Sequence, residues 1–188
     1  MAGIGWLGID RASDDERGDS GPLDEAAFAA AYEAHRLDVF RYLRARTLSD
    51  DDAADLTAAT FERALRGRRR YHPHPDGPLP WLLRIARNAA TDHQRRQASA
   101  RRGLRVRLPP LVEPDPSVQL LADEADRELA TRVAALPGVQ REALRLRYAA
   151  GLSARQIAEV IGRSEAATQK LLTRALAALK EAYRDESR

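Results

Sequence analysis

Gln169, Lys170, Thr173 and Arg174 fall among the apolar positions Leu171, Leu172, Ala175, Leu176 and Leu179. An amide, an ammonium, a hydroxyl and a guanidinium on one side of a helix are the groups that bond base edges and phosphates in duplex DNA. A second set, Arg68-Arg69-Arg70-Tyr71 and then Pro80-Trp81-Leu82-Leu83-Arg84, mixes cations with aromatic rings. Cations follow a nucleic-acid backbone and rings stack on unpaired bases, so this set points to single-stranded binding.

The first set needs a scaffold, and Gly151-Leu152-Ser153-Ala154-Arg155-Gln156-Ile157-Ala158-Glu159-Val160-Ile161-Gly162-Arg163-Ser164 reads as a helix-turn-helix that supplies it. Ser153 is placed to cap one helix and Ser164 the next. Ile157 and Ile161 share a face, Ala158 is small enough for close approach, and Gly162 suits the positive φ of a tight turn. A plain α-hairpin with a glycine turn would share this pattern, so the rest of the chain has to decide.

The chain has 188 residues and a formal charge of +3. That length suits one ordinary domain or two small ones. With no cysteine, disulfides, zinc–thiolate sites and cysteine nucleophiles are excluded. No apolar run approaches the roughly 20 residues that span a bilayer. The start lacks a basic segment and a long apolar stretch, so no signal peptide is expected, and a cytoplasmic location is. The small net charge conceals alternation: residues 1–60 carry −7, 61–107 carry +10, 108–128 carry −5 and 129–188 carry +5. Two basic blocks around an acidic connector point to two nucleic-acid contacts on one chain.

Periodicity predicts helices almost throughout. Phe28, Tyr32, His35, Val39 and Leu43 mark a first helix, with Leu23-Asp24 near its start. Ser49-Asp50-Asp51-Asp52 opens a second, which continues through Leu56, Thr60 and Phe61 and breaks at Gly67. Pro80 suits the first position of a third, with Trp81, Leu82, Ile85, Ala86 and Ala89 on one face and Arg84, Arg87, Asn88, Arg95 and Arg96 on another. The expected architecture is all-α: a tail at 1–22, a helical domain at 23–102, a four-proline linker at 103–118 and a second helical domain at 119–185.

Three blocks carry a family resemblance. Pro80-Trp81-Leu82-Leu83-Arg84-Ile85-Ala86-Arg87-Asn88-Ala89-Ala90-Thr91-Asp92-His93, and Asp55-Leu56-Thr57-Ala58-Ala59-Thr60-Phe61-Glu62-Arg63-Ala64 upstream, resemble region 2 of the extracytoplasmic-function (ECF) sigma factors of bacterial RNA polymerase. Leu136-Pro137-Gly138-Val139-Gln140-Arg141-Glu142-Ala143-Leu144-Arg145-Leu146-Arg147-Tyr148, leading into the helix-turn-helix, resembles region 4. The blocks stand in the family's order between about Leu23 and Tyr183.

The resemblance implies a factor that binds core RNA polymerase, on the clamp of its largest subunit and the flap of the second-largest, and directs it to promoter DNA. Region 2 would dock through the helix at 52–65, using Asp52, Asp55, Leu56, Thr60 and Arg63. It would take the −10 element as a single strand through Arg70, Tyr71, Trp81, Arg84, Arg87 and Asn88. Region 4 would read the −35 element as duplex through Arg147, Arg163, Ser164, Gln169, Lys170, Thr173 and Arg174. The resemblance also allows an anti-sigma partner. It implies a free chain that is monomeric and not inserted in a membrane.

The chain departs from the family pattern at Ala58 and Ala59, where a polar–acidic pair is usual, and across Ala166-Ala167-Thr168-Gln169-Lys170-Leu171. Thr168 replaces an apolar anchor and a charge has moved, which predicts an unusual −35 preference. Other features read blandly. His72 and His74 are expected as loop residues rather than metal ligands, and His35 as a satisfied core residue. Asp92 and His93, as helix neighbours, do not face one another. The Trp81 face is mainly core. No catalytic constellation, metal or cofactor site accompanies them, so no enzyme is expected. Two rivals remain: a stand-alone helix-turn-helix regulator that binds two-fold symmetric duplex, and a sigma-like chain that sequesters a partner without touching DNA.

Overall fold

The computed structural model describes residues 23–47, 49–105 and 124–186. The expected tail, residues 106–118 of the expected linker and residues 119–123 lie outside them. Seven α-helices and no strand occur among the described residues: α1 Glu25–Thr47, α2 Asp50–Gly67, α3 Leu79–Arg105, α4 Glu124–Ala135, α5 Gly138–Tyr148, α6 Ala154–Ile161 and α7 Glu165–Glu186. A 3-10 turn at Arg68–Arg70 follows α2.

The helix starts follow from side-chain caps. Asp24 accepts from the Ala27 amide at 2.7 Å and Ser49 from the Asp52 amide, satisfying donors that a first turn leaves open. Ser153 and Gln156 form a reciprocal capping box on α6. Gly162 ends α6 at φ +69°, and the Arg163 amide returns to the Ala158 carbonyl at 2.9 Å. Helix α3 starts one residue earlier than Pro80 and runs on through Arg105, so the first three residues of the expected linker are helical.

Helices α1, α2 and α3 form a three-helix body. Val39, Tyr42 and Leu43 of α1 meet Leu56, Phe61 and Ala64 of α2 over an alanine-rich face of α3. Ala86, Ala89 and Ala90 are buried there, and their small side chains let the helices approach closely. Phe61 receives Tyr32 edge-on with ring centroids 4.8 Å apart. Helices α5, α6 and α7 form the second body, and α4 joins α7 through the Arg132 guanidinium, 4.3 Å from the centre of the Tyr183 ring.

The two bodies share a seam. Helix α6 lies on α3 and α5 on α1, so Ala143, Leu146, Leu152, Ile157 and Val160 belong to the same apolar cluster as the first body's core. Sequence periodicity anticipates both bodies but not this continuity.

Candidate nucleic-acid interface

The first basic surface starts where Gly67 ends α2 and the arginine turn delivers the chain to Tyr71. The Tyr71 and Trp81 rings lie 5.0 Å apart, tilted at 54°. Tyr71 is buried and Trp81 half-buried, so Tyr71 supports the indole rather than offering its own face. Burial also raises the Tyr71 pKa above its ordinary value, keeping the phenol neutral. The loop between them turns at Gly77, φ +70°, whose amide meets the His74 carbonyl at 2.9 Å. The result is a cavity of about 390 Å³ whose walls include Arg70, Tyr71, Trp81, Arg84 and, from the second body, Glu159.

Arg70 and Arg84 are exposed at this cavity. Asn88 is also exposed, and lies with Arg87, Thr91, Asp92 and Arg95 around a second cavity of about 470 Å³. Arg87 is half-buried and its Nε stands 3.5 Å from the Glu142 carboxylate of α5. His74 is more than a loop histidine: its Nε2 is 3.0 Å from Glu159 of α6. Its Nδ1 accepts from the Asp76 amide at 3.2 Å, and Arg155 pairs with Asp76. The fold thus adds Glu159, distant in sequence, to the neighbouring Asp76 beside His74.

On the second surface, Gln169, Lys170, Thr173 and Arg174 are all exposed along α7. Ser164 caps that helix, accepting from the Ala167 amide at 3.3 Å. Thr168 is fully buried, and its hydroxyl donates to the Ser164 carbonyl at 3.0 Å, so it does serve as the anchor. Leu176 is 44% exposed and does not point inward as its spacing predicts. Arg147 is exposed, and its Nη1 donates to the Leu152 carbonyl at 2.9 Å, which ties the end of α5 to the start of the helix-turn-helix. Arg163 is exposed but faces the first body, around a cavity of about 230 Å³ shared with Arg46, Arg87 and Glu142.

On α2 the expected docking residues divide. Asp55 and Arg63 are exposed, Arg63 lying 3.9 Å from Asp92. Asp52 is turned to α3, 3.4 Å from His93. Leu56 and Thr60 are buried, with the Thr60 hydroxyl bonded to the Leu56 carbonyl at 2.6 Å; they hold the helix and are not on its free face. Asp92 and His93 go to different partners, as their adjacency requires. His35 keeps a buried Nδ1 without a hydrogen bond, against the expectation of a satisfied core residue, and lies 3.8 Å from Asp38.

Glu142 is the residue that sequence reasoning missed. It is buried on α5, accepts from the Tyr42 hydroxyl at 2.5 Å, and takes both carboxylate oxygens to Nη1 of Arg46 at 2.7 Å. Arg46 also donates to Tyr42 at 3.0 Å and to Thr91 at 2.8 Å. The carboxylate raises the Tyr42 pKa further above a value already raised by burial, while burial lowers that of Arg145, which lies 4.0 Å from Glu142. Residues 96 and 100 apart in sequence leave no periodic signal of such a meeting.

Comparison with known proteins adds family membership to this geometry. Residues 31–100 match sigma-70 region 2 and residues 126–179 match sigma-70 region 4. The chain is 34% identical over 180 residues to the ECF RNA polymerase sigma factor BldN of Streptomyces coelicolor, covering 92% of this chain and 66% of that one. It is 36% identical over 158 residues to a probable RNA polymerase sigma-C factor of Mycobacterium bovis, covering 80% and 83%. Its fold is similar to that of the Bartonella quintana sigma factor RpoE in a co-crystal with the anti-sigma factor NepR, with a TM-score of 0.64, 19% identity and coverage of 84% and 96%. This chain thus spans just under two thirds of BldN's length. Within the described residues no helix is long and apolar enough to cross a membrane. With both regions present in order, and 31% identity over 145 residues to the ECF RNA polymerase sigma factor SigK of a Mycobacterium species, covering 72% of each chain, the chain belongs to the sigma-70 family as a member of its ECF group.

Proposed function

We propose that the chain is an RNA polymerase sigma factor that carries core polymerase to promoters. The observation that supports this best is the presence, in one family member, of two separate cation-bearing surfaces of different character. One surrounds a half-buried indole beside exposed arginines; the other is a row of base-reading side chains on a capped helix. A ring and cations suit an unstacked −10 strand, whereas a polar row on a helix suits the major groove at −35.

Core polymerase is the first partner, met on its clamp by the free face of α2, including Asp55, Arg63 and the exposed Asp50 and Asp51 of its acidic start, and on its flap by the second body. An anti-sigma factor is the second, supported by its presence beside a structural neighbour. The protein works by binding, without enzymatic activity or cofactor, as a cytoplasmic monomer.

Run-off transcription with purified core polymerase and a promoter library tests the proposal. Promoter-specific initiation, with selected −35 sequences that differ from the family's common motif, is the expected result. No initiation, with duplex binding at a two-fold symmetric site, would establish the stand-alone regulator instead. No initiation, with function indifferent to charge reversal at Arg147, Lys170 and Arg174, would establish the sequestering protein.

A further inference from the structure

The loop of residues 71–78 turns at Gly77 and sets His74 and Asp76 against Glu159 of α6. One ligand atom from each, an imidazole nitrogen and two carboxylate oxygens, lie within 4.8 Å of one another. The His74 Nε2 is 3.0 Å from Glu159 Oε1, and its Nδ1 is 3.7 Å from Asp76 Oδ2. Ligand atoms that surround one zinc-sized ion tetrahedrally stand about 3.4 Å apart, so these separations bracket the required one.

A second observation points to a ligand. Asp76 Oδ2 is buried and has no hydrogen-bond partner, whereas Oδ1 pairs with the Arg155 guanidinium. A buried carboxylate oxygen without a donor is unfavourable, and a cation relieves it. Arg155 then orients the carboxylate from behind, as a donor to a ligating oxygen does. Two carboxylates against one guanidinium, with a neutral imidazole, leave one negative charge over at this corner. Arg70 and Arg84 border the same cavity but are exposed, so water screens their charge. His74 is exposed as well, which gives an ion a way in.

We propose that His74, Asp76 and Glu159 bind a divalent transition-metal ion of the zinc type, with water completing its coordination. One imidazole makes the set softer than the all-oxygen sites of magnesium and calcium, and the lack of thiolate suits an exchangeable ion rather than a permanent one. His74 is thereby a ligand, against its expectation as a plain loop residue, while His72 keeps that description. The loop runs from Tyr71 to the start of α3, so a bound ion fixes the wall of the aromatic cavity. The site does not depend on what that cavity binds.

Calorimetric titration of Zn²⁺ into the untagged full-length protein tests the assignment. Wild type is expected to take up one equivalent. His74→Ala, Asp76→Asn and Glu159→Gln should each weaken binding by about tenfold or more. His72→Ala, at the same cavity but outside the cluster, should leave it unchanged. Thermal melting separates ligation from folding: with chelator present the variants should keep their helicity, and Zn²⁺ should raise the melting temperature of wild type but not of His74→Ala. No saturable uptake by wild type would overturn the proposal, leaving His74 as a partner of two acids. One-equivalent binding retained by both His74→Ala and Glu159→Gln would overturn it too. Loss of binding in His93→Ala instead would move the ion to the Asp52–His93 pair of α2 and α3 and refute the site at His74.

Discussion

The Tyr42 hydroxyl donates to Glu142 at 2.5 Å, joining the middle of the first helix to the fifth. Burial and the carboxylate both hold the proton on the phenol, so its pKa lies above the ordinary 10.0. The folded chain therefore keeps a proton that the unfolded chain surrenders at alkaline pH. This contribution is fully present below about pH 10 and declines as pH rises beyond it. Denaturant midpoints measured on both sides of that pH should fall more steeply for wild type than for Tyr42→Phe; parallel slopes would contradict the account.

Trp81 stands half-exposed on a buried Tyr71, a platform for one base. Trp81→Ala should weaken single-strand binding by about 1–3 kcal/mol at any base sequence. Arg84→Ala should instead make the salt dependence shallower, by about 0.7 for each phosphate that is no longer neutralised. Titrations across a range of salt concentrations separate the two, and identical salt slopes for wild type and Arg84→Ala would remove Arg84 from the surface.

Arg147 and Arg174 look alike in sequence but differ in their partners. Arg147 is bound to the Leu152 carbonyl, so Arg147→Ala should lower thermal stability and leave the salt slope of duplex binding unchanged. Arg174 is exposed, so its alanine variant should keep stability while its salt slope falls by about 0.9. The reverse pattern would return Arg147 to the DNA surface.

Gly162 holds φ +69° with open space where a Cβ would point, so Gly162→Ala meets only a backbone cost, about 1–2 kcal/mol. Gly138 has equal space and lies within α5 at ordinary φ; there alanine should stabilise by about 0.4–1 kcal/mol. Urea unfolding of both variants checks the contrast in sign.

The buried Thr168 hydroxyl donates to a Ser164 carbonyl that already accepts the Thr168 amide at 3.0 Å. Thr168→Val removes the hydroxyl without orphaning that carbonyl, so stability should change by less than about 1 kcal/mol. A drop of several times that amount would show that the hydroxyl, rather than the volume, anchors α7.

Local signals were legible in the chain wherever one residue determines its own neighbourhood. Ser49, Ser153 and Ser164 cap as their spacing requires, and Gly162 takes the left-handed turn because α6 must end before α7 begins. Periodicity placed α1, α2 and α3 but erred where neighbouring helices decide. Leu176 is left without a covering element, whereas Leu56 and Thr60 are buried on the face where the periodicity placed them. Nothing local could have paired Glu142 with Arg46: burial of an ion pair is a property of two distant helices meeting, and a lone glutamate in a basic helix reads as solvated. The Arg147 bond to the Leu152 carbonyl was illegible for a similar reason, since the letter does not say which acceptor a guanidinium meets.

Arg87 and Arg163, assigned to different promoter elements, line one cleft on either side of Glu142. Any occupant that draws one away from this cleft also uncovers the other. Their ligands are then thermodynamically linked: whatever factor in affinity the first derives from the separation, it confers equally on the second, in either order of arrival. A factor built this way would respond to a complete promoter cooperatively, and to half of one hardly at all.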